Sequence, residues 1–561
     1  GLYWSLKPRY PAGYQMIWSL MRTYTDNEIG NLDDVTNQAR FSPWIVFLSS
    51  GIEAYAYEIF YNEDEKLLDQ CLTAAKEDWK SAMAALPPDW RTTGLTDDPR
   101  LKEDLLKLAS WGTVSSLHLY EITGEENYAE VAADFGRIVV DCQETSFLDG
   151  IPITGFFYNT PEKKEIVHFT HFAFEESPLL ALTELCEMLP DHENWINWYA
   201  AVVLHSEYFM KRGALYSFPY NMLPSSVYGK MEITGSENLD AFGRGDRGDI
   251  TKVRAVLLNQ LEEGDKLSDN YFLRKFPIQI HRQVHGSTAI QLSEAVALAR
   301  AYKTRNNAEA KQLATRQIEW ILGMNPFSRS LMYGEGYDYT PLFSAASGNI
   351  VGALPVGIDC MSNDEPHWYN SNHMTPKEVW VVPGGRFLWN MAYIATPALI
   401  QGKVKDSEIK ELEFENMETG NTEIVKVSDD SSFKKVIAPG NYRIKYGNTY
   451  TDLNALNGCE YTINCDPENA MVMFAETNHS LKEDNKFDIK LSFEGKGEQN
   501  ILIKTFNGSV NDKELKLNLA NGKKKVKDIE LMVDNPEKPW VLLVQNLKNK
   551  GNFIELTGGA Q

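Results

Sequence analysis

The chain has 561 residues, a formal net charge of −23, 43% hydrophobic residues and 11% aromatic ones. That length exceeds a single core, so two or three domains are expected. The acidic balance, with no basic stripe, argues against a nucleic-acid partner. No apolar run approaches the length of a membrane span.

Helical periodicity predicts helices at about 42–61, 63–84, 101–122, 126–142, 174–189, 193–211, 250–263, 286–303, 307–322 and 384–401. Short punctuators such as Thr123-Gly124 and Leu189-Pro190-Asp191 join several of them. Two stretches, LHLYEITGEENYAEVAADFGRIV and VALARAYKTRNNAEAKQLATRQIEWI, share one style of helix, short polar turn, helix. Repeated hairpins of this kind stack side by side, and about six close a ring. After Gly402 the texture changes to alternating apolar and polar runs bounded by Gly, Asn and Pro, which read as strands. The expected fold is multidomain, mainly α then β. It comprises an (α/α)6 toroid over 1–403, a small β module over 404–466 and a β-sandwich module over 467–561, with a break near 465–470.

Cys71, Cys142 and Cys186 lie in helical patterns and read as small buried hydrophobes, while Cys459 and Cys465 flank a strand-like segment and are close enough in sequence to pair. The chain begins at Gly1 without Met or a signal peptide, so its native N-terminus is expected to lie upstream.

The densest chemical signal is residues 316–336, RQIEWILGMNPFSRSLMYGEG. Gly323 can take the left-handed cap that stops a helix, and Pro326 cannot continue one. A long aromatic loop follows, leading to Pro376-Lys377-Glu378-Val379-Trp380, where a lone carboxylate sits among apolar neighbours just before a helix. Such a carboxylate suits a general acid with a raised pKa.

The stretch 316–401 resembles glycoside hydrolase family 9, the inverting endoglucanases, through Gly323-Met324-Asn325-Pro326, Gly334-Glu335-Gly336, Lys377-Glu378-Val379 and the closing helix FLWNMAYIATPAL. The resemblance implies that Glu378 is the proton donor to the leaving sugar oxygen. Two departures stand out. The family's Asp-Ala-Gly-Asp segment is absent, and Asn31-Leu32-Asp33-Asp34 is its nearest counterpart, offering Asp33 or Asp34 as base. An inverting base must stand roughly 6.5–9.5 Å from the acid to leave room for water. The His-Arg motif after the Gly-x-Gly loop is also missing; the chain there reads Tyr337-Asp338-Tyr339-Thr340-Pro341. A duller account makes Asp33 and Asp34 loop or cap residues and Glu378 a salt-bridged structural carboxylate.

A second constellation is His168 and His171 in VHFTHF with His281, Arg282 and His285 in IHRQVHG. Imidazole beside guanidinium suits a polysaccharide lyase that clamps a uronate and moves its C5 proton. The competing account is structural histidines. No metal is assigned: His281 and His285 have helical i,i+4 spacing but lack a third ligand. Loop aromatics suit the flat faces of sugars: Trp44, Trp111, Tyr158, Tyr216, Tyr220, Tyr337, Tyr339, Trp368, Tyr369 and Trp380. The doubled tripeptide Arg244-Gly245-Asp246-Arg247-Gly248-Asp249 reads as a polar loop with Asp249 capping the next helix. It leaves room for a structural calcium at Asp246 and Asp249, although the spacing of a calcium loop is absent.

The expectation is a monomeric carbohydrate-active enzyme that is secreted, periplasmic or at the cell surface, needs no cofactor, and cleaves a polysaccharide or oligosaccharide as a glycoside hydrolase. A polysaccharide lyase and a non-catalytic glycan-binding protein are the alternatives.

Overall fold

A computed structural model describes residues 41–559 apart from 61–63, 94, 96–100, 102–103, 169–173, 236–238, 240–241, 243–248, 279–286, 343–349, 361–362, 369–376, 477–480, 483–484, 521–522 and 548; before 41 it describes only the strands Tyr14–Gln15 and Thr36–Asn37. The chain forms two compact units. The first is Gly1–Cys142 with Asn159–Glu162 and Glu187–Pro190; the second is Gln143–Tyr158, Lys163–Cys186 and Asp191–Gln561.

In the first unit, α1 (Pro43–Ile59) and α2 (Glu65–Ala84) form one hairpin, and α3 (Leu105–Thr123) and α4 (Glu126–Asp141) another. Each boundary has a local cause. Pro43 opens α1, and the Asp64 carboxylate accepts from Lys66 N (2.9 Å) to start α2. At the α3–α4 turn, Glu125 N donates to Thr123 Oγ1 (3.2 Å). The hairpins share a core of Ala54, Ala75, Leu119 and Tyr128, and Trp79 Nε1 donates to Ser116 Oγ (2.8 Å).

In the second unit the longer helices are α5 (Ser177–Met188), α6 (Trp195–Val203, widened into a π turn over Leu204–Lys211), α7 (Ile250–Glu262), α8 (Thr288–Arg305), α9 (Ala308–Ile321) and α10 (Val381–Ala395). Asp249 caps α7 by accepting from Thr251 N (3.0 Å), as its position suggested. Asn307 does the same for α9 through Ala310 N (2.9 Å). A small antiparallel sheet that the sequence pattern did not announce joins β1 (Ser226–Gly229), β2 (Asp265–Lys266) and β3 (Tyr271–Arg274), in the order β1-β3-β2. Its strands are too short for alternation to register.

The helix expected over 384–401 stops at Ala395, and Ala398–Val404 is a strand, β4. Pro397 explains the early stop: the residue before a proline is pushed to extended backbone, and Thr396 has ψ 128°.

From β4 onward the regular elements among the described residues are all strands. β5 (Glu411–Asn416), β6 (Thr422–Lys426), β8 (Gly440–Tyr446) and β9 (Thr449–Ala455) form one sheet in the order β6-β5-β8-β9. β7 (Ser432–Ile437) and β10 (Glu460–Cys465) flank β4 in another, with β10 parallel to β4. Both sheets turn apolar residues into one core, including Ile400, Leu412, Phe414, Phe433, Ile444 and Ile463. The alternation is plain on β5, whose outward Glu413 and Glu415 meet Lys445 across the ladder at 2.6 and 2.9 Å.

A second pair of sheets follows. One holds β11 (Met471–Glu476), β12 (Lys486–Gly495), β14 (Gly508–Val510) and β16 (Lys525–Val533) in the order β11-β12-β16-β14. The other holds β13 (Gly497–Phe506), β15 (Glu514–Leu519), β17 (Trp540–Asn546) and β18 (Asn549–Gly558) in the order β15-β13-β17-β18. Their common core includes Leu491, Phe493, Ile503, Leu517, Leu531 and Leu542. β17 is buried along its whole length because its outer face is covered as well. On that side Lys504 lies over the Trp195 ring at 4.2 Å and Tyr199 Oη donates to Glu555 Oε2 (2.6 Å). Arg305 grips the same carboxylate at 2.6 Å, beside a cavity lined by Arg305, Asn306, Asn307, Phe553 and Glu555.

All six cysteines are buried thiols. Cys459 and Cys465, which proximity in sequence left open as a pair, are both free thiols: Cys459 belongs to a core shared with α8 and α9 while Cys465 faces the core of the first sheet pair. Among the described residues no helix is long and apolar enough to cross a membrane.

Candidate active site

The site grows from the end of α9. Leu322 caps the helix, Gly323 follows at φ 121°, and the chain reverses as Asn325 takes control of the turn. Its Nδ2 donates to Trp320 O and Arg329 O, both at 2.8 Å, and its Oδ1 accepts from Phe327 N (3.1 Å). One buried amide therefore ties the helix end to the loop that leaves it, which is why Asn precedes Pro326. Ser330 then forms an isolated parallel bridge with Tyr339, with Ser330 N donating to Asp338 O (2.8 Å) and Thr340 N to Ser330 O (2.9 Å). Gly334, at φ 77°, makes the reversal that a side chain would resist, with Val351 packed 3.0 Å from where its Cβ would be.

Backbone bonds carry this loop to Glu378. Tyr333 N donates to Ala353 O (3.0 Å), Val356 N to Glu378 O (2.8 Å), and Thr288 N, at the start of α8, to Val356 O (3.0 Å). Pro355 and Val379 form a bridge. Glu378 is thus held at its main chain, three residues ahead of α10, with its half-buried carboxylate accepting from Trp380 Nε1 at 3.1 Å. Next to it Lys377 is buried, and burial pulls its ammonium pKa down. The end of α9 and the loop that leaves it pack, through Trp320 and Leu331, into an apolar cluster with Met222, Phe276, Leu292 and Ile358.

The aromatic residues fall into distinct places. Trp368 packs on Phe327 (5.3 Å), and the Arg329 guanidinium lies over its ring at 4.9 Å while pairing with Asp338 (2.7 Å). Tyr339 meets Tyr333 edge-on at 5.2 Å, and Tyr337 is fully exposed. Tyr216 is exposed, and partial burial followed by the charge of Asp265 raises its hydroxyl pKa. Two residues expected in cleft loops are interior instead: Trp111 is buried within α3, and Tyr158 is buried with its hydroxyl donating to Glu144 Oε2 (3.2 Å). Trp44 lies in α1, donating to Asp104 Oδ2 (3.1 Å) beneath Lys107. Trp44 and Trp111 belong to the first unit, and Glu378 to the second.

His168 is buried with both ring nitrogens engaged, Nε2 with Glu232 Oε1 at 3.0 Å and Nδ1 with Ser226 Oγ at 3.4 Å, and it stacks on Tyr228 at 4.2 Å. Glu232 also receives Ile166 N (2.8 Å) and Gly229 N (2.7 Å), so the histidine belongs to a packed structural knot. Asp33, Asp34, His171, His281, Arg282, His285, Asp246 and Tyr369 lie outside the described residues.

Sequence reasoning missed the supports behind the site. Glu176, ahead of α5, pairs with Arg386 of α10 and accepts from Ser293 Oγ of α8. Beside it, burial and then the Glu176 charge push the Glu175 carboxyl up to about 7. Glu294 is buried with neither carboxyl oxygen hydrogen-bonded, and burial followed by the Glu175 charge raises its pKa strongly. The available signal was a string of acids (Glu175, Glu176, Glu294) inside otherwise apolar helical patterns. Arg329 was also missed, although it follows directly on the Asn325-Pro326 turn.

No family model and no curated protein matches the chain. It is similar to several solved structures. The cellulase Cel9M of C. cellulolyticum is 15% identical with a TM-score of 0.36, over 62% of this chain and 63% of that one. A metagenome-derived glycoside hydrolase family 9 endoglucanase is 14% identical with a TM-score of 0.36, over 64% and 53%. Endoglucanase CelQ from Clostridium thermocellum, complexed with cellotriose, is 12% identical with a TM-score of 0.36, over 88% and 70%. The chain spans under two thirds of the length of the first two of these structures.

Proposed function

We propose that this protein is a glycoside hydrolase acting on a polysaccharide or oligosaccharide, with Glu378 as general acid. The observation that carries the reading is how Glu378 is held. Its carbonyl is fixed by Val356 N and its carboxylate is aimed by Trp380 Nε1 at 3.1 Å, so the acid is oriented before any sugar arrives. In this reading Glu378 protonates the leaving glycosidic oxygen; inversion also needs a carboxylate base that activates water, and Asp33 or Asp34 is the candidate that the sequence offers for it. The half-buried Trp368, with Phe327 beside it and the Arg329 guanidinium over its ring, is the stacking residue this reading assigns to the sugar. The same reading takes the helical hairpins as a six-hairpin ring and the two sheet pairs as supporting sandwich modules.

The test is a screen of polysaccharides that follows both reducing ends and ultraviolet absorbance. Hydrolysis releases reducing ends alone. Products that also absorb, through a C4–C5 double bond, would move the assignment to elimination; sugar affinity without turnover would make the chain a glycan binder.

A further inference from the structure

The first unit holds a side-chain cluster for which the proposed hydrolysis has no use. Glu58 lies in the last turn of α1, and His118 and Glu121 lie three residues apart near the end of α3, which packs along α1. One ligand atom from each of the three falls within 4.8 Å of the other two. The i,i+3 spacing puts His118 and Glu121 on one helix face, and Glu58 completes the set from the neighbouring helix. The His118 ring is buried, steadied edge-on by Tyr55 at 5.4 Å.

The contact between His118 and Glu58 has a telling form. Nδ1 stands 3.0 Å from both carboxylate oxygens, in the fork between them. A single N–H cannot point straight at two acceptors, and hydrogen bonds weaken as they bend. A cation between an imidazole nitrogen and a carboxylate carries no such directional conflict.

We propose that Glu58, His118 and Glu121 form a binding site for a divalent metal of the zinc class, with His118 Nδ1 and one oxygen from each carboxylate as ligands and water in the remaining position. One nitrogen with two carboxylates matches the donor set that zinc accepts, whereas calcium and magnesium take oxygen shells. Two anionic carboxylates balance the charge of the ion. Binding staples α1 to α3 and so stabilises the first unit.

The experiment uses the full chain with Zn2+ and Co2+ salts. One equivalent of Co2+ should give the visible bands of a low-coordinate nitrogen and oxygen site, without thiolate charge transfer. Zn2+ at about 100 times Kd should raise Tm by several degrees. Glu121 is exposed, so Glu121→Gln should fold normally and weaken Zn2+ binding at least tenfold, and Glu58→Gln should do likewise. Replacing the other spaced pair, His281→Ala with His285→Ala, should leave Zn2+ affinity unchanged. A Tm indifferent to Zn2+, undiminished affinity in Glu121→Gln, thiolate bands with Co2+, or loss of binding in the His281/His285 variant would each overturn the proposal.

Discussion

Arg386 Nη2 lies 2.7 Å from Glu176 Oε1 in a buried ion pair, and Ser293 Oγ donates to the other oxygen of the same carboxylate. The contact joins α10, the helix that Glu378 introduces, to the turn ahead of α5 and to the middle of α8. Asn390 adds a second tie, its Nδ2 donating to Leu292 O (3.0 Å). The helix that follows Glu378 is therefore fixed by polar contacts inside an apolar interior.

Breaking that pair on one side should be costly. Arg386→Met leaves the Glu176 charge buried without its cation and should lower stability by about 3–5 kcal/mol. Adding Glu176→Gln removes the stranded charge and should restore a good part of the loss. Urea unfolding of the two single variants and the double variant measures this; additive losses would argue against a coupled pair.

The neighbouring carboxyls predict a pH dependence. Glu175 is raised to about 7 and Glu294 is raised more strongly, so both folded pKa values exceed the ordinary carboxylate range. Their protonated forms favour the folded state. That stability is fully present below about pH 4.5, the unfolded value, and for Glu175 it is lost as pH rises through about 7. Glu294→Gln should match the wild type near pH 4 and exceed it near pH 8. Thermal melts across this range would show a constant difference if the carboxyl did not titrate.

Asn325 should act through the loop. Asn325→Ala removes two donated bonds of 2.8 Å, one to the buried Trp320 carbonyl and one to the part-buried Arg329 carbonyl, costing about 1–3 kcal/mol. If the loop positions sugar near Glu378, kcat should fall more than the stability change explains. Activity and Tm measured on one preparation separate the two effects.

Trp368 should matter for binding. Trp368→Ala should raise KM about 10-fold or more with a smaller change in kcat, because stacking acts on substrate and transition state alike. A selective loss of kcat would place the ring in the chemistry instead.

Much of this architecture was legible in the chain. Helices such as α2, α4 and α9 were readable because they bury one stripe, and stop signals such as Thr123-Gly124 and Gly323 with Pro326 marked the ends even of a helix buried nearly all round, such as α3. The sheets after Gly402 were readable from residues such as Leu412 and Phe414 alternating with Glu411, Glu413 and Glu415. The end of α10 was misplaced because apolar residues continue through Pro397 into β4, and periodicity alone cannot see the break. At the site, Glu378 stood out for its apolar neighbours and its place before a helix. The ion pair between Glu176 and Arg386 did not, since partners separated by 210 positions leave no local pattern. Trp111 and Tyr158 misled for the opposite reason: an aromatic residue looks alike in sequence whether it faces sugar or core.

The most direct measurement compares two substrates in Glu378→Gln. Hydrolysis of an ordinary glycosidic bond, whose leaving oxygen needs a proton, should slow roughly 10²–10⁴-fold. Hydrolysis of the matching glycosyl fluoride, whose leaving group needs little protonic help, should stay close to the wild-type rate. Near-normal turnover of the glycosidic bond, or equal losses on both substrates, would contradict the role of Glu378 as general acid.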